Sequence, residues 1–261
     1  MAAPSRRILY TLILLTIASI GLVFGIRQLE PPSTAAERAF PYGEIRIGVD
    51  ASFPPFAVDD GTTLYGLDID LGNAIGAYYD VPVRFITLGY DGLYDVLTTD
   101  KADIVISALL INPLRTQEVR YTRHYFDNGL VLVSAFNSLY SSMEALSGQR
   151  LAVEFGSTAD AEARYWLRRT APFDILPYEL PNYALDAVRL GVAEAALVDA
   201  TTYFLYWREY PDWQVQYQYV TNSFYAIAMR LDRLDTWQLI EDAIWVFAAD
   251  GTLEKILRKW L

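Results

Sequence analysis

Residues 150–169, RLAVEFGSTADAEARYWLRR, decide the architecture. An extended apolar run (Leu151, Ala152, Val153) turns at Gly156, and Ser157 and Thr158 open a helical period without a pause. A strand that passes through a glycine turn into a helix is the repeating unit of an α/β sheet with crossover helices. The same alternation extends outward in both directions. Upstream lie EIRIGVD (44–50), a helical DLGNAIGAYY (70–79), an extended VRFITLG (83–89), a helical DGLYDVLTT (91–99), the buried-strand run ADIVISALL (102–110) and the β-branched GLVLVSA (129–135). Downstream come FDILPYE (173–179), the helix YALDAVRLG (183–191), the strand AALVDA (195–200), the helix TTYFLYWREY (201–210), WQVQYQYV, SFYAIAMR and a long helical region from Leu234.

This order fits two half-sized α/β units, the second inserted into the first. The expected division is 44–131 for the first part of lobe 1, 132–223 for lobe 2, and 224–261 for a segment that returns to lobe 1. Connecting strands near 130–135 and 219–226 would form the hinge. Open α/β sheets bind ligands outside the carboxyl ends of their strands. Those ends are Asp50, Leu110, Gly156 and Asp199, and Leu110 leads into Asn112-Pro113-Leu114-Arg115.

Composition narrows the function. With 53% hydrophobic residues the 261-residue chain can bury a large core, which excludes a disordered chain. It holds no cysteine and a single histidine, His124, so thiolate chemistry, Cys-bearing metal sites and most histidine triads are excluded. No metal, no cofactor and no catalytic residue are expected. The formal net charge of −11 argues against nucleic acid as a partner.

Residues 8–26, ILYTLILLTIASIGLVFGI, carry no charge and follow Arg6 and Arg7. Basic residues before an apolar run of this length read as a signal peptide or a transmembrane anchor over 1–26, with the rest of the chain outside the cytoplasm. Residues 27–43, with Pro31, Pro32 and Pro41, read as a linker. Beyond them the body holds 17 basic against 30 acidic side chains, so it is strongly acidic.

Six stretches in order carry a resemblance to a known family: IRIGVDASFPPF, LYGLDIDLGNAIG, DIVISALLINPLRTQEVRYTRHYFDNG, VEFGSTADAE, LVDATTYFLY and FAADGTLEKILRKWL. Together they resemble the type II periplasmic solute-binding proteins of family 3, the amino-acid receptors of ABC importers. The resemblance spans about residues 44–261 and implies a two-lobed α/β fold with one lobe discontinuous. It also implies that the body acts as a monomer, and that the partners are a transmembrane permease, its ATPase and a small zwitterionic ligand.

Residue roles follow from the same resemblance. Arg115 corresponds to the guanidinium that grips the ligand carboxylate, a task suited to its planar fork. Gly156-Ser157-Thr158 corresponds to a turn whose helix amides receive that carboxylate. The same residues also make an ordinary helix cap. Asp199 corresponds to the acceptor of the ligand ammonium, or it caps the following helix. Phe53 and Tyr90 correspond to residues that sandwich the ligand side chain, though both also suit a core. Asp50 and Glu154 correspond to pocket-lining positions, and two acids there favour a cationic ligand; one residue of strand phase decides whether Glu154 faces the pocket. Ala108 and Leu110 stand where the family often has a small residue and then Ser or Thr, and Asn112 replaces the usual Thr before Pro113. Leu110 offers no hydroxyl, although backbone amides near 108–110 can still bind. The expected function is capture of an amino acid or similar zwitterion between two hinged lobes for delivery to an ABC importer. A lyase or dehydratase on the same scaffold and a membrane-anchored ligand-sensing domain are the alternatives.

Overall fold

The computed structural model describes residues 32–261. The membrane segment expected over 1–26 lies outside the described residues. No helix among those described is long and apolar enough to cross a membrane. Two five-stranded sheets and one small three-stranded sheet carry the fold.

The first sheet contains β1 (Ile45–Val49), β5 (Val83–Thr87), β6 (Ile104–Val105), β7 (Val119–Asp127) and β13 (Phe224–Arg230), in the order β5-β1-β6-β13-β7. All five residues of β1 are buried, as a parallel strand covered on both faces requires. Helices α2 (Leu67–Tyr79), α3 (Leu93–Thr98), α7 (Leu234–Asp250) and α8 (Thr252–Trp260) pack around it. The small sheet, β2 (Ser52–Phe53), β3 (Ala57–Asp59) and β4 (Leu64–Tyr65), follows β1 and leads into α2. Trp260 near the chain end stacks on Tyr65 and donates to Asp70 at 2.7 Å, so the returning segment closes on the first lobe.

The second sheet repeats the pattern. It contains β8 (Leu130–Ala135), β9 (Arg150–Glu154), β10 (Asp174–Tyr178), β11 (Ala195–Asp199) and β12 (Val215–Tyr219), in the order β10-β9-β11-β8-β12. Helices α4 (Thr158–Leu167), α5 (Pro181–Arg189) and α6 (Ala200–Glu209) connect its strands. In each sheet three parallel strands are flanked by an antiparallel pair, which the chain uses to enter and leave.

Three features depart from the sequence expectation. Residues 27–43 read as linker, yet Pro32–Ala39 form a helix, α1, whose Ala36 and Ala39 are buried together with the following Phe40. Spacing of three and four residues puts these on one face, and proline suits a first helical turn. The run ADIVISALL forms a strand only at Ile104–Val105, because Ala108 turns to φ +42°. The first crossing between the sheets falls at residues 127–129, ahead of the expected 131/132, since Leu130 and Val131 already pair with β11 and β12.

At that crossing the two connecting strands nearly touch. A Cβ on Gly129 would sit 2.0 Å from the Thr221 carbonyl oxygen of the other crossing. Asp127 binds both strands, its Oδ1 accepting from Gly129 N–H at 2.9 Å and from Ser223 N–H at 2.7 Å. The Tyr219 hydroxyl donates to the Asp127 carbonyl at 2.9 Å. Gly129→Ala therefore forces the crossings apart and should lower the unfolding free energy by about 1–3 kcal/mol, the usual cost of overpacking. Urea unfolding followed by circular dichroism measures it, and an unchanged midpoint contradicts the tight crossing.

Candidate binding site

The carboxyl ends of β9 and β11 lie side by side in the second sheet, and the helices that follow them start there. Between them is a small open pocket lined by Glu154, Ser157, Thr158, Ala159 and Asp199 together with the apolar Leu130, Leu197 and Val198. Four of the expected residues, Glu154, Ser157, Thr158 and Asp199, thus share one pocket.

Local chemistry explains each position. Gly156 takes φ +74°, a conformation that glycine adopts without strain, and the chain turns sharply from strand into α4. The Ser157 hydroxyl donates to the Glu154 carbonyl at 2.8 Å and accepts from Asp160 N–H at 3.2 Å, so Ser157 is the cap. Buried Asp160 accepts from Gly156 N–H at 3.1 Å and pairs with Arg164 at 2.8 Å, which braces the turn from behind. The Thr158 and Ala159 amides have no hydrogen-bond partner among the described residues. Two open N–H groups at the positive end of a helix suit an anion.

Asp199 caps α6. Its Oδ1 accepts from Thr202 N–H at 2.9 Å and its Oδ2 from the Thr202 hydroxyl at 2.6 Å. An ionised carboxylate has about four acceptor positions, so capacity remains on the pocket side. The Glu154 carboxylate has no ion-pair or hydrogen-bond partner among the described residues. One pocket thus joins a helix N-terminus to two carboxylates, and this combination can hold a small molecule bearing both charges.

The remaining expected residues belong to the first lobe, and none of them lines that pocket. Asp50 follows β1; its N–H donates to the Ser107 hydroxyl at 2.9 Å, and its carboxylate accepts from Ser52 N–H and the Ser52 hydroxyl at 3.0 and 2.7 Å. Phe53 is half-exposed and stacks on Phe56 at 5.5 Å. Tyr90 is half-exposed on the turn Tyr90–Gly92, its phenol pushed up by burial and then by neighbouring Tyr94. The Ala108 N–H donates to Asp68 Oδ2 at 2.7 Å, which commits that amide inside the lobe. Leu110 bridges Tyr225 while the adjacent Leu109 carbonyl and Ile111 N–H pair with β13; the Leu110 N–H therefore faces away from that strand.

Arg115 does not reach Asp199. Its Nη1 pairs with Glu118 at 2.7 Å and its guanidinium lies 4.7 Å from the centre of the Tyr94 ring. The hydrogen bond it donates to Glu118 raises the arginine above its ordinary pKa, so it stays charged. The turn that presents it is closed by Asn112, whose Oδ1 accepts from Leu114 N–H at 2.9 Å. A guanidinium has five N–H groups, so the Glu118 contact leaves a face free for another anion.

Three residues absent from the sequence reading organise the site. Asp68 is fully buried and accepts from the Tyr125 hydroxyl at 2.8 Å as well as from Ala108. Asn128, in the first crossing, accepts from Thr201 N–H at 2.9 Å and donates to the Tyr225 hydroxyl at 2.9 Å. Burial, opposed by the hydrogen bond from Asn128, pushes the Tyr225 phenol up to about 12. The available signal was an acid at the head of the apolar helix in GLDIDLG and a turn-forming Asp-Asn-Gly at 127–129.

Comparison with known proteins locates this arrangement. Residues 45–261 match the family model for bacterial extracellular solute-binding proteins, family 3. ABC transporter arginine-binding protein 1 of Escherichia coli is 27% identical over 83% of this chain and 90% of its own. The lysine/arginine/ornithine-binding periplasmic protein of the same organism is 27% identical over 94% and 96%. Among solved structures, an ancestral cationic amino acid solute-binding protein (AncCDT-1) superposes with TM-score 0.63 at 27% identity, covering 87% of this chain and 99% of that one. The unliganded open L-cystine receptor of Neisseria gonorrhoeae shares the fold with TM-score 0.74 at 21% identity, covering 87% and 95%.

Asp68 makes the first lobe sensitive to pH. Burial, opposed by the bonds from Tyr125 and Ala108, raises its pKa from the ordinary 3.8 to about 7. Between these values the folded state holds a proton that the unfolded state has released, so acidification from pH 7 towards 4 adds stability through this group. Above pH 7 that gain is absent. Urea unfolding at pH 5 and pH 8 should show this difference in the native chain, and Asp68→Asn should remove it.

Proposed function

This chain belongs to the bacterial extracellular solute-binding proteins of family 3, and from that premise we propose that it captures an amino acid with a cationic side chain for an ABC importer. The ligand carboxylate docks on the Thr158 and Ala159 amides and on the free face of Arg115. The ammonium docks on Asp199. Glu154 and Asp50 receive the positive side chain, and Phe53 and Tyr90 cover its aliphatic stem. The observation that carries the reading is the pocket at the ends of β9 and β11, where open helix amides face two carboxylates. The similarity to an arginine-binding protein and to a lysine/arginine/ornithine-binding protein supports the same ligand class.

Capture works by closure. Lobe 1 (44–126 with 224–261) and lobe 2 (130–219) rotate about the paired crossings between them, and a ligand that bridges Arg115 and Asp199 stabilises the closed form by its difference in affinity between the two states. The permease then reads the closed form. Residues 1–26 tether or export the protein. The body works outside the cytoplasm as a monomer. An anchored sensing role would use the same pocket and is distinguished by its partner rather than by its ligand.

L-Arginine, L-lysine and L-histidine screened by thermal shift identify the ligand. Saturation at about 100 times Kd should add about 2.7 kcal/mol of stability and raise Tm. Arg115→Ala and Asp199→Ala each remove charge-assisted hydrogen bonds worth about 1.5–3 kcal/mol, so calorimetry should record affinities weaker by roughly 10- to 150-fold. Unchanged affinity in both variants refutes the zwitterion assignment. Product formation on prolonged incubation would instead favour the lyase or dehydratase alternative.

A further inference from the structure

Three hydrogen-bond donors open α6, and the protein satisfies all of them internally. Ala200 N–H donates to the Gly129 carbonyl at 3.0 Å, Thr201 N–H to Asn128 Oδ1 at 2.9 Å, and Thr202 N–H to Asp199 Oδ1 at 2.9 Å. Two of these acceptors come from the interlobe crossing rather than from α6 or its own strand. The orientation of the Asn128 carboxamide is dictated by chemistry. A backbone N–H can only donate, so the atom facing Thr201 is the amide oxygen, which also accepts from the Thr201 hydroxyl at 2.7 Å. The amide nitrogen then faces the other way and donates to the Tyr225 hydroxyl at 2.9 Å.

Each end of this link is packed or hydrogen-bonded into its own lobe. The Tyr225 ring meets Phe56 edge-on at 5.3 Å, and Phe56 stacks on Phe53. At the other end, Thr201 is two residues from Asp199 in a turn whose amides are all bound. The Asn128 backbone N–H donates to the Ser223 carbonyl at 2.8 Å, which seats the residue between the two crossings. We propose that Asn128 is a positioning residue for ligand capture, its carboxamide tying the first turn of α6 in one lobe to the Tyr225 hydroxyl in the other. The Asp199 wall thereby keeps a set angle to the Phe53 wall before any ligand arrives. A planar amide suits this place because it offers an acceptor to one lobe and a donor to the other. The ligand part of the inference rests on the receptor reading above, whereas the geometry of the empty protein does not.

The test exploits the absence of cysteine. Thr99→Cys and Arg168→Cys, both exposed and one in each lobe, give two unique spin-label sites. Electron–electron resonance on the ligand-free protein should give a narrow interlobe distance distribution, and Asn128→Ala should broaden it. Tyr225→Phe, which removes one hydroxyl from the same link, should broaden it in the same direction and serves if Asn128→Ala does not fold. With L-arginine as probe, calorimetry should show each single variant binding about 5- to 30-fold more weakly. The double variant should be no weaker than the worse single variant within about twofold, since both changes cut one link. Losses that multiply, or a distance distribution that neither variant alters, overturn the proposal. If the unmutated protein does not bind L-arginine, the receptor reading fails for that ligand and the distance distribution alone decides the role of Asn128.

Discussion

The chain passes between its two sheets twice, and the two passages lie so close that only a hydrogen atom fits at Gly129 beneath the Thr221 carbonyl. That contact sets the geometry of the rest. It joins the antiparallel pairs β7–β13 and β8–β12 end to end, with the end of β11 beside the start of β8. Asp127 binds both passages, and its neighbour Asn128 reaches into both lobes. A joint of this kind permits rotation while keeping the strand ends opposed, as capture between lobes needs.

The two helices that start at the pocket use the same local structure in opposite ways. At α4 the Ser157 cap satisfies one amide, and Thr158 and Ala159 remain open to the pocket. At α6 the cap is a carboxylate and the crossing satisfies the other amides, so this helix start offers negative charge instead. One pocket therefore has an electropositive side at α4 and an electronegative side at α6. Arg115 stands on the opposite lobe, kept charged by Glu118 and lying over Tyr94, with most of its donors uncommitted.

Several elements are legible in the sequence because periodicity and turn chemistry act locally. The run RLAVEFG followed by STADAEARYWLRR became β9 and α4, and AALVDA became β11. The nine-residue strand β7 was not read as an element. Its burial falls at Val119, Thr122, Tyr125 and Phe126 rather than at every second residue, because pairing with β13 shifts register twice near Ala226. Helix α1 was hidden among prolines that read as linker, and its apolar face is recognisable only against α7. The strand expected through Leu110 ends early because a buried carboxylate, Asp68, holds the Ala108 amide from forty residues away in sequence.

The sequence alone determined the α/β class, the acidic exported body, the strand ends at which a site would form and the family to which the chain belongs. The class, the charge and the strand ends follow from short-range pattern and composition, and the family from the six stretches that resemble it. Tertiary structure decided which candidates share a pocket: Glu154, Ser157, Thr158 and Asp199 do, whereas Asp50, Phe53, Tyr90, Ala108, Leu110 and Arg115 stand on the other lobe. It also decided that the Ala108 amide is engaged by Asp68 and that Asn128 joins α6 to Tyr225. The reason is physical: a hydrogen bond between residues 73 positions apart depends on how two sheets pack across a crossing, and local pattern carries no trace of that packing.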